Sequence, residues 1–231
     1  MTRPAAFFDV DGTLVASNIV RYGIEIRTQR MSPLGRRAWT AAYLPRVPWL
    51  LALDAVSREA FQRSFYRIYA GLDPDELACR AERLFEEFVR PRIRPQAAAR
   101  VAFHRDRGDQ VVLVSGSVEP IVRPLASHLR VDEVLAARLE TREGRTTGGL
   151  ENGALAGERK AEAVAGFAAE REVDLGASYG YADSLDDAAM LERVGHPAVV
   201  NPGRKLERLA RDRGWDVYRW PAPADFGLRP A

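Results

Sequence analysis

The stretch Ala6-Phe7-Phe8-Asp9-Val10-Asp11-Gly12-Thr13-Leu14 decides how the rest of the chain is read. Ala5 to Phe8 is an apolar, aromatic run, short enough for a strand buried on both faces. It ends in two carboxylates one residue apart, then a glycine. Side chains alternate across a strand, so Asp9 and Asp11 can share a site only if the chain bends between them. Gly12 permits that bend, because glycine accepts backbone angles that other residues refuse. Acids at the carboxyl end of a buried strand lie where open α/β sheets bind ligands. The pair can hold a hard cation such as Mg²⁺ through oxygen, divide labour as nucleophile and acid/base, or simply cap a turn.

Downstream, residues 15–95 read as helix throughout. Arg36 to Leu53 is rich in Trp, Leu and Ala and is interrupted at Pro45 and Pro48. Ser57 caps a run through Tyr69 that Gly71 ends, and Asp73-Pro74-Asp75-Glu76 opens another helix to about Arg90. From residue 96 the rhythm becomes strand and helix in alternation. Strands are predicted at Gln110–Ser115, Val131–Leu139, Ala177–Ala182, Pro197–Asn201 and Trp215–Trp220, and helices at 96–107, 117–129, 158–172, 185–194 and 205–213. A Gly- and Thr-rich stretch at 141–153 reads as a hairpin, and the Pro-rich tail from Pro221 to Ala231 as irregular. Such alternation implies a parallel, Rossmann-like α/β sheet sandwiched by helices. Residues 1–15 and 96–231 are expected to form that core, with 16–95 a helical-bundle cap inserted after the first strand.

The totals narrow the function. The chain has 231 residues, and 46% hydrophobic with 29% charged residues is ordinary for a water-soluble protein. A net charge of +2 gives no strong drive toward nucleic acid or acidic membranes. Cys79 is the only cysteine, so no internal disulfide forms. No apolar export segment opens the sequence, and both features favour a cytoplasmic location. The most lipophilic window, Ala38 to Val56, is broken by Pro45, Arg46, Pro48 and Asp54, so no transmembrane segment is expected.

Three later pieces carry chemistry. Tyr181-Ala182-Asp183-Ser184-Leu185-Asp186-Asp187 is a second acidic strand end opening into a helix. Asp183 or Ser184 can be a helix N-cap there; equally, two adjacent acidic strand ends are tolerable if a divalent cation sits between them. Ser115-Gly116-Ser117 follows a buried strand and offers an anion cradle, with Ser117 also a plausible cap for the next helix. Only Lys160 and Lys205 are lysines; every other basic residue among the 34 is arginine. A lysine at 160 offers a compact charge suited to neutralising a phosphate oxygen and a carboxylate together, or a solvated face beside Glu158 and Glu162.

Taken together, Asp9 to Thr13, Ser115, Lys160, and Asp183 with Asp187 resemble the motif set of the haloacid dehalogenase-like superfamily, in order and spacing. The segment 177–194 and the helical insert look most like its phosphoserine phosphatase-related branch. The resemblance implies a phosphatase that hydrolyses a small-molecule phosphomonoester. In it Asp9 attacks phosphorus to give a phosphoaspartyl intermediate, and Asp11 protonates the leaving alkoxide and then activates water. Mg²⁺ is held by Asp9, the Asp11 backbone carbonyl and Asp183, with Asp187 orienting that shell. Ser115, Gly116 and Thr13 belong to the phosphate site, and Lys160 offsets charge on it.

The insert is expected to choose the substrate. Where phosphoserine phosphatases carry a glutamate seven residues after the second motif aspartate, this chain has Asn18, which supplies no counter-charge to an amino group. Arg21, Arg58 and Arg63 are available to an anionic substrate group. The Trp39, Tyr43, Leu44, Trp49, Leu50, Leu51 stretch suits either a lipid-like phosphate or packing of the helical bundle. A phospho-acceptor signalling module also uses paired acids and a lysine on a parallel sheet, but lacks a long insert after the first strand. A non-catalytic binding protein on the same scaffold is the remaining rival. A monomer or homodimer is expected.

Overall fold

The computed structural model describes residues 3–131 and 133–223. Asp132, inside the strand expected at 131–139, and residues 224–231 of the expected tail lie outside the described residues. Six strands form one parallel sheet: β1 (Ala5–Asp9), β2 (Gln110–Val118), β3 (Glu133–Ala137), then, past a hairpin of β4 (Leu139–Arg142) and β5 (Arg145–Leu150), β6 (Tyr179–Ala182), β7 (His196–Val200) and β8 (Asp216–Tyr218). Their spatial order is β3-β2-β1-β6-β7-β8. The order reverses beside β1, and a ligand crevice opens at the carboxyl ends of the strands flanking such a point. Register sets Phe8 against both Leu113 and Tyr181, so the residues just past Asp9, Val114 and Ala182 share that end.

Period-two alternation splits the core. Ala6 and Phe8 of β1 face one side with Leu113 of β2, while Ala5 and Phe7 face the other with Val112 and Val114. The second face is covered by α8 (Glu158–Glu170), α9 (Ala188–Leu191) and α10 (Arg204–Arg213), through Val164, Met190 and Leu206. On the first face lie α6 (Pro95–Asp106) and α7 (Glu119–Leu129).

Between β1 and β2 the chain makes only helices before α6: α1 (Ile19–Thr28), α2 (Pro33–Tyr43), α3 (Val47–Val56), α4 (Arg58–Phe65) and α5 (Pro74–Leu84). Their apolar residues Tyr22, Phe61, Phe65 and Leu77 belong to the same continuous core as Phe8 and Val101. The insert therefore buries its apolar face against the sheet side rather than around a centre of its own.

Several boundaries move from expectation for identifiable reasons. β2 runs to Val118, so Ser117 is a strand residue; α7 starts with Val118 as N-cap and no side-chain cap, which corrects the reading of Ser117 as cap. The helix expected to reach Arg90 leaves α-geometry at Phe85–Val89, a π-turn, and tightens at Arg90–Arg92, where Pro91 has no N–H to give. The helix expected at 185–194 contracts to a 3₁₀ turn, Leu185–Asp187, and the short α9. Ser184 caps that turn by accepting from the Asp186 N–H at 3.2 Å. Among the described residues no helix is long and apolar enough to cross a membrane.

Candidate active site

Asp9 closes β1 and Asp183 follows β6, so the pairing of these strands brings two acids to one end of the sheet. Gly12 makes that approach possible. Its φ is +89°, and a Cβ there would lie 2.2 Å from Asp183 Oδ2. Thr13 Oγ1 donates to Asp183 Oδ1 at 3.3 Å. Asp187, three residues past the Ser184 cap, turns back into the same place. One carboxylate oxygen from each of Asp9, Asp183 and Asp187 lies within 4.8 Å of the others.

Lys160, on the first turn of α8, answers that charge. Its Nζ donates to Asp9 Oδ1 and to Asp187 Oδ1, each at 2.6 Å, and only 4% of its surface is exposed. Sequence reasoning expected one carboxylate and a phosphate oxygen as its partners; here it bridges two carboxylates. Burial alone would lower the Lys160 pKa, but Asp187 and Asp9 more than reverse this and raise it. Asp9 is governed first by burial, which pushes its pKa well up; Lys160 pulls it down, and Asp187 and Asp183 push it up again. Asp183 is pushed up to about 6, by burial and then by the Asp187 charge.

A divalent cation fits this donor set. One oxygen from each of Asp9, Asp183 and Asp187 lies within 4.8 Å of the others, a crowding of like charge that costs free energy unless something cationic meets it. Three carboxylates with one ammonium leave the cluster in deficit of positive charge. Hard oxygen donors without nitrogen or sulfur suit Mg²⁺ or Ca²⁺ rather than zinc.

Asp11 has a different environment. Its Oδ2 accepts from Ser117 Oγ at 2.8 Å and from Ser115 Oγ at 3.2 Å, while its Oδ1 is buried and unpartnered. Its side chain is thus outside the three-acid cluster. Burial raises its pKa, opposed first by the Ser117 hydrogen bond. Ser115 Oγ also accepts from the Ser117 N–H at 3.0 Å, which fixes the hydroxyl toward Asp11.

The roof comes from the insert. Arg58, Gln62 and Gly116 line the cavity with Asp9, Asp11 and Lys160. A Cβ on Gly116 would meet Gln62 Nε2 at 2.3 Å, and the Tyr66 hydroxyl donates to the Gly116 carbonyl. Arg58 is half-buried and ion-paired to Asp54 at 2.7 Å. Gln62 and Tyr66 were not singled out from sequence, although 58, 62 and 66 fall four apart, on one helical face. Asp186 was also passed over; its Oδ2 accepts from the Gly157 N–H at 3.0 Å and holds the turn that starts α8. Asn18 does not line this cavity: it is exposed and caps α1 by accepting from the Arg21 N–H at 3.1 Å.

Comparison with known proteins agrees with this geometry. The profile of the haloacid dehalogenase-like hydrolases matches residues 6–192. A probable phosphatase of Mycobacterium tuberculosis is 34% identical over 226 residues, 97% of this chain and 78% of that one. A phosphoserine phosphatase of the same organism is 30% identical over 215 residues, 92% of this chain and 70% of that one. A crystal structure of a protein of unknown function from Bordetella pertussis superposes with a TM-score of 0.79 at 29% identity, covering 94% of this chain and 99% of that one. With its profile spanning the insert and the sheet from β1 to β6, and the motif residues gathered on one crevice, the chain belongs to the haloacid dehalogenase-like hydrolases.

Proposed function

We propose that this protein is a Mg²⁺-dependent phosphatase of small phosphomonoesters, working through a phosphoaspartyl intermediate on Asp9. The chain is a phosphoric monoester hydrolase of its family, as relatives named phosphatase and phosphoserine phosphatase support. The observation that carries the reading is the unequal treatment of the Asp9 oxygens: Oδ1 is held by Lys160 at 2.6 Å, and Oδ2 is left without a partner. A carboxylate so fixed presents one nucleophilic oxygen in a set direction.

Side chains of Asp9 and Asp183, with the Asp11 backbone carbonyl, would hold the magnesium ion, and Asp187 orients them from the Lys160 side. When bound, the ion supplies positive charge that lets an anionic phosphate approach a carboxylate. Asp9 Oδ2 then forms a bond to phosphorus as the ester P–O bond breaks. Asp11, whose pKa burial raises, gives a proton to the departing alkoxide. In the second half Asp11 takes a proton from water, whose oxygen displaces Asp9 from phosphorus. Ser115 and Ser117 orient Asp11 throughout, and Lys160 offsets the charge that collects on Asp9 as it leaves.

Residues 16–95 serve as a cap in this reading. The cavity at the acid cluster is about 40 Å³, far below the roughly 300 Å³ at which small-ligand pockets begin. Arg58 and Gln62 therefore must lift for substrate to enter and return to exclude water. Both offer hydrogen-bond donors to a polar or anionic leaving group.

The test is phosphate release with and without Mg²⁺ across phosphoserine, histidinol phosphate, sugar phosphates and lysophospholipids, alongside Asp9→Asn on p-nitrophenyl phosphate. Many turnovers in wild type and a loss of roughly 10⁴-fold or more in the variant are expected. A yield of one phosphoryl group per chain would instead mark a signalling module, and retained turnover in Asp9→Asn would remove it as nucleophile.

A further inference from the structure

A second cavity, of about 430 Å³, opens in the insert away from the acid cluster. It is lined by Trp39, Tyr43 and Trp49 on one hand and by Arg27, Arg46 and Arg67 on the other, with no acidic residue in its wall. Trp39 stacks on Tyr43 with ring centroids 4.9 Å apart, and the Arg46 guanidinium lies over the Tyr43 ring. Among the described residues none of the three arginines has an ion pair. Arg27 and Arg46 give only long bonds, 3.4 Å, to backbone carbonyls. Three guanidiniums gathered without an acid repel one another, so the arrangement favours an anion between them.

The surroundings say which kind of anion. No residue of α2 is buried, and Leu50 is the only buried residue of α3. Leu44, Trp49 and Leu51 each expose more than half of their surface, and Leu34 and Val56 more than three-quarters. A monomer surface seldom presents so many large apolar side chains along one short stretch. The surrounding segment is basic: residues 26–53 hold five arginines and no acid; Arg30 and Arg36 pair with Glu76 and Glu25, and Arg27, Arg37 and Arg46 have no ion pair among the described residues. Leucine, tryptophan and tyrosine beside arginine, on helices too short to span a bilayer, fit the interface of an anionic lipid surface. Bare apolar packing between protein copies would not call for the arginine excess.

We propose that the α2–α3 arm docks on anionic phospholipid, with a lipid phosphate entering the Arg27–Arg46–Arg67 cavity and Leu44, Trp49 and Leu51 entering the headgroup–acyl boundary. The docking is peripheral and independent of which phosphomonoester the active site hydrolyses. It would carry the mouth of the enzyme to a membrane surface without anchoring it there.

Flotation of the full chain with vesicles tests this. One set is phosphatidylcholine alone; the other has phosphatidylglycerol as one lipid in three. The chain should float with the second set and not the first, and floating should fall as salt is raised. Arg46→Gln and Arg67→Gln should each lower partitioning about fivefold. Trp49→Phe should remove most of the blue shift in tryptophan emission that vesicles induce. Unchanged thermal melts check that the variants fold, and the salt and lipid dependence of wild type stands without them. Equal binding to both vesicle sets, binding to neither, or binding of soluble glycerol phosphate alone would overturn the proposal. So would self-association through this arm that persists in the presence of vesicles.

Discussion

Asp9, Lys160 and Asp187 expose at most 4% of their surface, whereas no residue of α2 is buried and α3 buries one. The floor of the site is charge locked into a sheet end; the arm above it is apolar surface and arginine left open to solvent. In the function proposed above, the difference divides two kinds of work. Chemistry on phosphate needs charges that hold still, so each floor residue is gripped by at least one other. Recognition needs surfaces that can open, and such segments come from the less buried part of a fold. Substitutions should therefore be severe below and mild above, and that contrast is what measurement can break.

The largest loss of stability is expected at Lys160. Lys160→Met leaves Asp9 and Asp187 buried side by side with no cation between them. Breaking a buried pair in this way costs about 3–5 kcal/mol, read from urea unfolding in EDTA. Adding Mg²⁺ should return part of that loss, since a cation at the three-acid cluster replaces some of the missing charge. Turnover should fall by about 10²–10³-fold even with Mg²⁺ present. Arg37, which has no ion pair among the described residues and sits in the open arm, should change stability by less than about 0.5 kcal/mol when made alanine. If Arg37→Ala cost as much as Lys160→Met, the floor–arm contrast would be wrong.

Next comes Gly12. At φ +89°, with Asp183 Oδ2 2.2 Å from where a Cβ would stand, Gly12→Ala meets both strain and collision. A cost of about 1–3 kcal/mol is expected. Asp183 must also shift, so the Mg²⁺ concentration giving half-maximal phosphate release should rise. A variant with lowered stability but an unchanged Mg²⁺ requirement would mean that Asp183 is not a ligand.

These two residues also show how the sequence could be read. Gly12 and Lys160 were visible because each breaks a local pattern: a glycine just after paired acids, and a lysine in an arginine chain. The parallel sheet was visible for the same reason, since the alternation of apolar runs and helices has few other outcomes. What escaped was set by contacts between distant segments. Ser117 looks like a helix cap until β2 is seen to run past it, carrying its hydroxyl to Asp11. Gln62 carries no signal of its own; it matters because Gly116, 54 residues later, leaves room beneath it. Asp186 looked like one acid among three, and only the fold gives it the Gly157 N–H. Asn18 was marked by its offset from Asp11, yet its side chain is committed to the start of α1.

Gln62 gives a third, smaller effect. Gln62→Ala removes a roof residue and no charge. Turnover should drop less than about tenfold on any one substrate, a barrier change below about 1.4 kcal/mol. The ratio of kcat/KM between two substrates should change more than kcat itself, because the loss falls on leaving-group contacts. A uniform fall in kcat with unchanged substrate ratios would move Gln62 from roof to floor.

The smallest effect lies beneath the floor and has the opposite pH sign. His104 of α6 is fully buried against Phe8 and bonds Asp109 through Nδ1 at 2.7 Å and the Tyr181 hydroxyl through Nε2 at 2.8 Å. It therefore ties together β1 and β6, the two strands that carry Asp9 and Asp183. Burial lowers its pKa, with Asp109 opposing. As pH falls below about 6.5 the unfolded chain takes up this proton before the folded one, so the stability due to the neutral ring is complete above that pH and declines below it. The floor runs the other way. Asp183, raised to about 6, takes its proton in the folded state first, so acidification without divalent cation relieves repulsion there. Wild type alone would show only the balance of the two. His104→Gln removes one side of it: measured by urea unfolding in EDTA from about pH 7.5 to about 5.5, the stability gap between wild type and variant should be widest at the neutral end and narrow steadily with acid. A gap that stays constant over that range would show that the ring takes up its proton equally in both states, and that the tie between β1 and β6 does not depend on its being neutral.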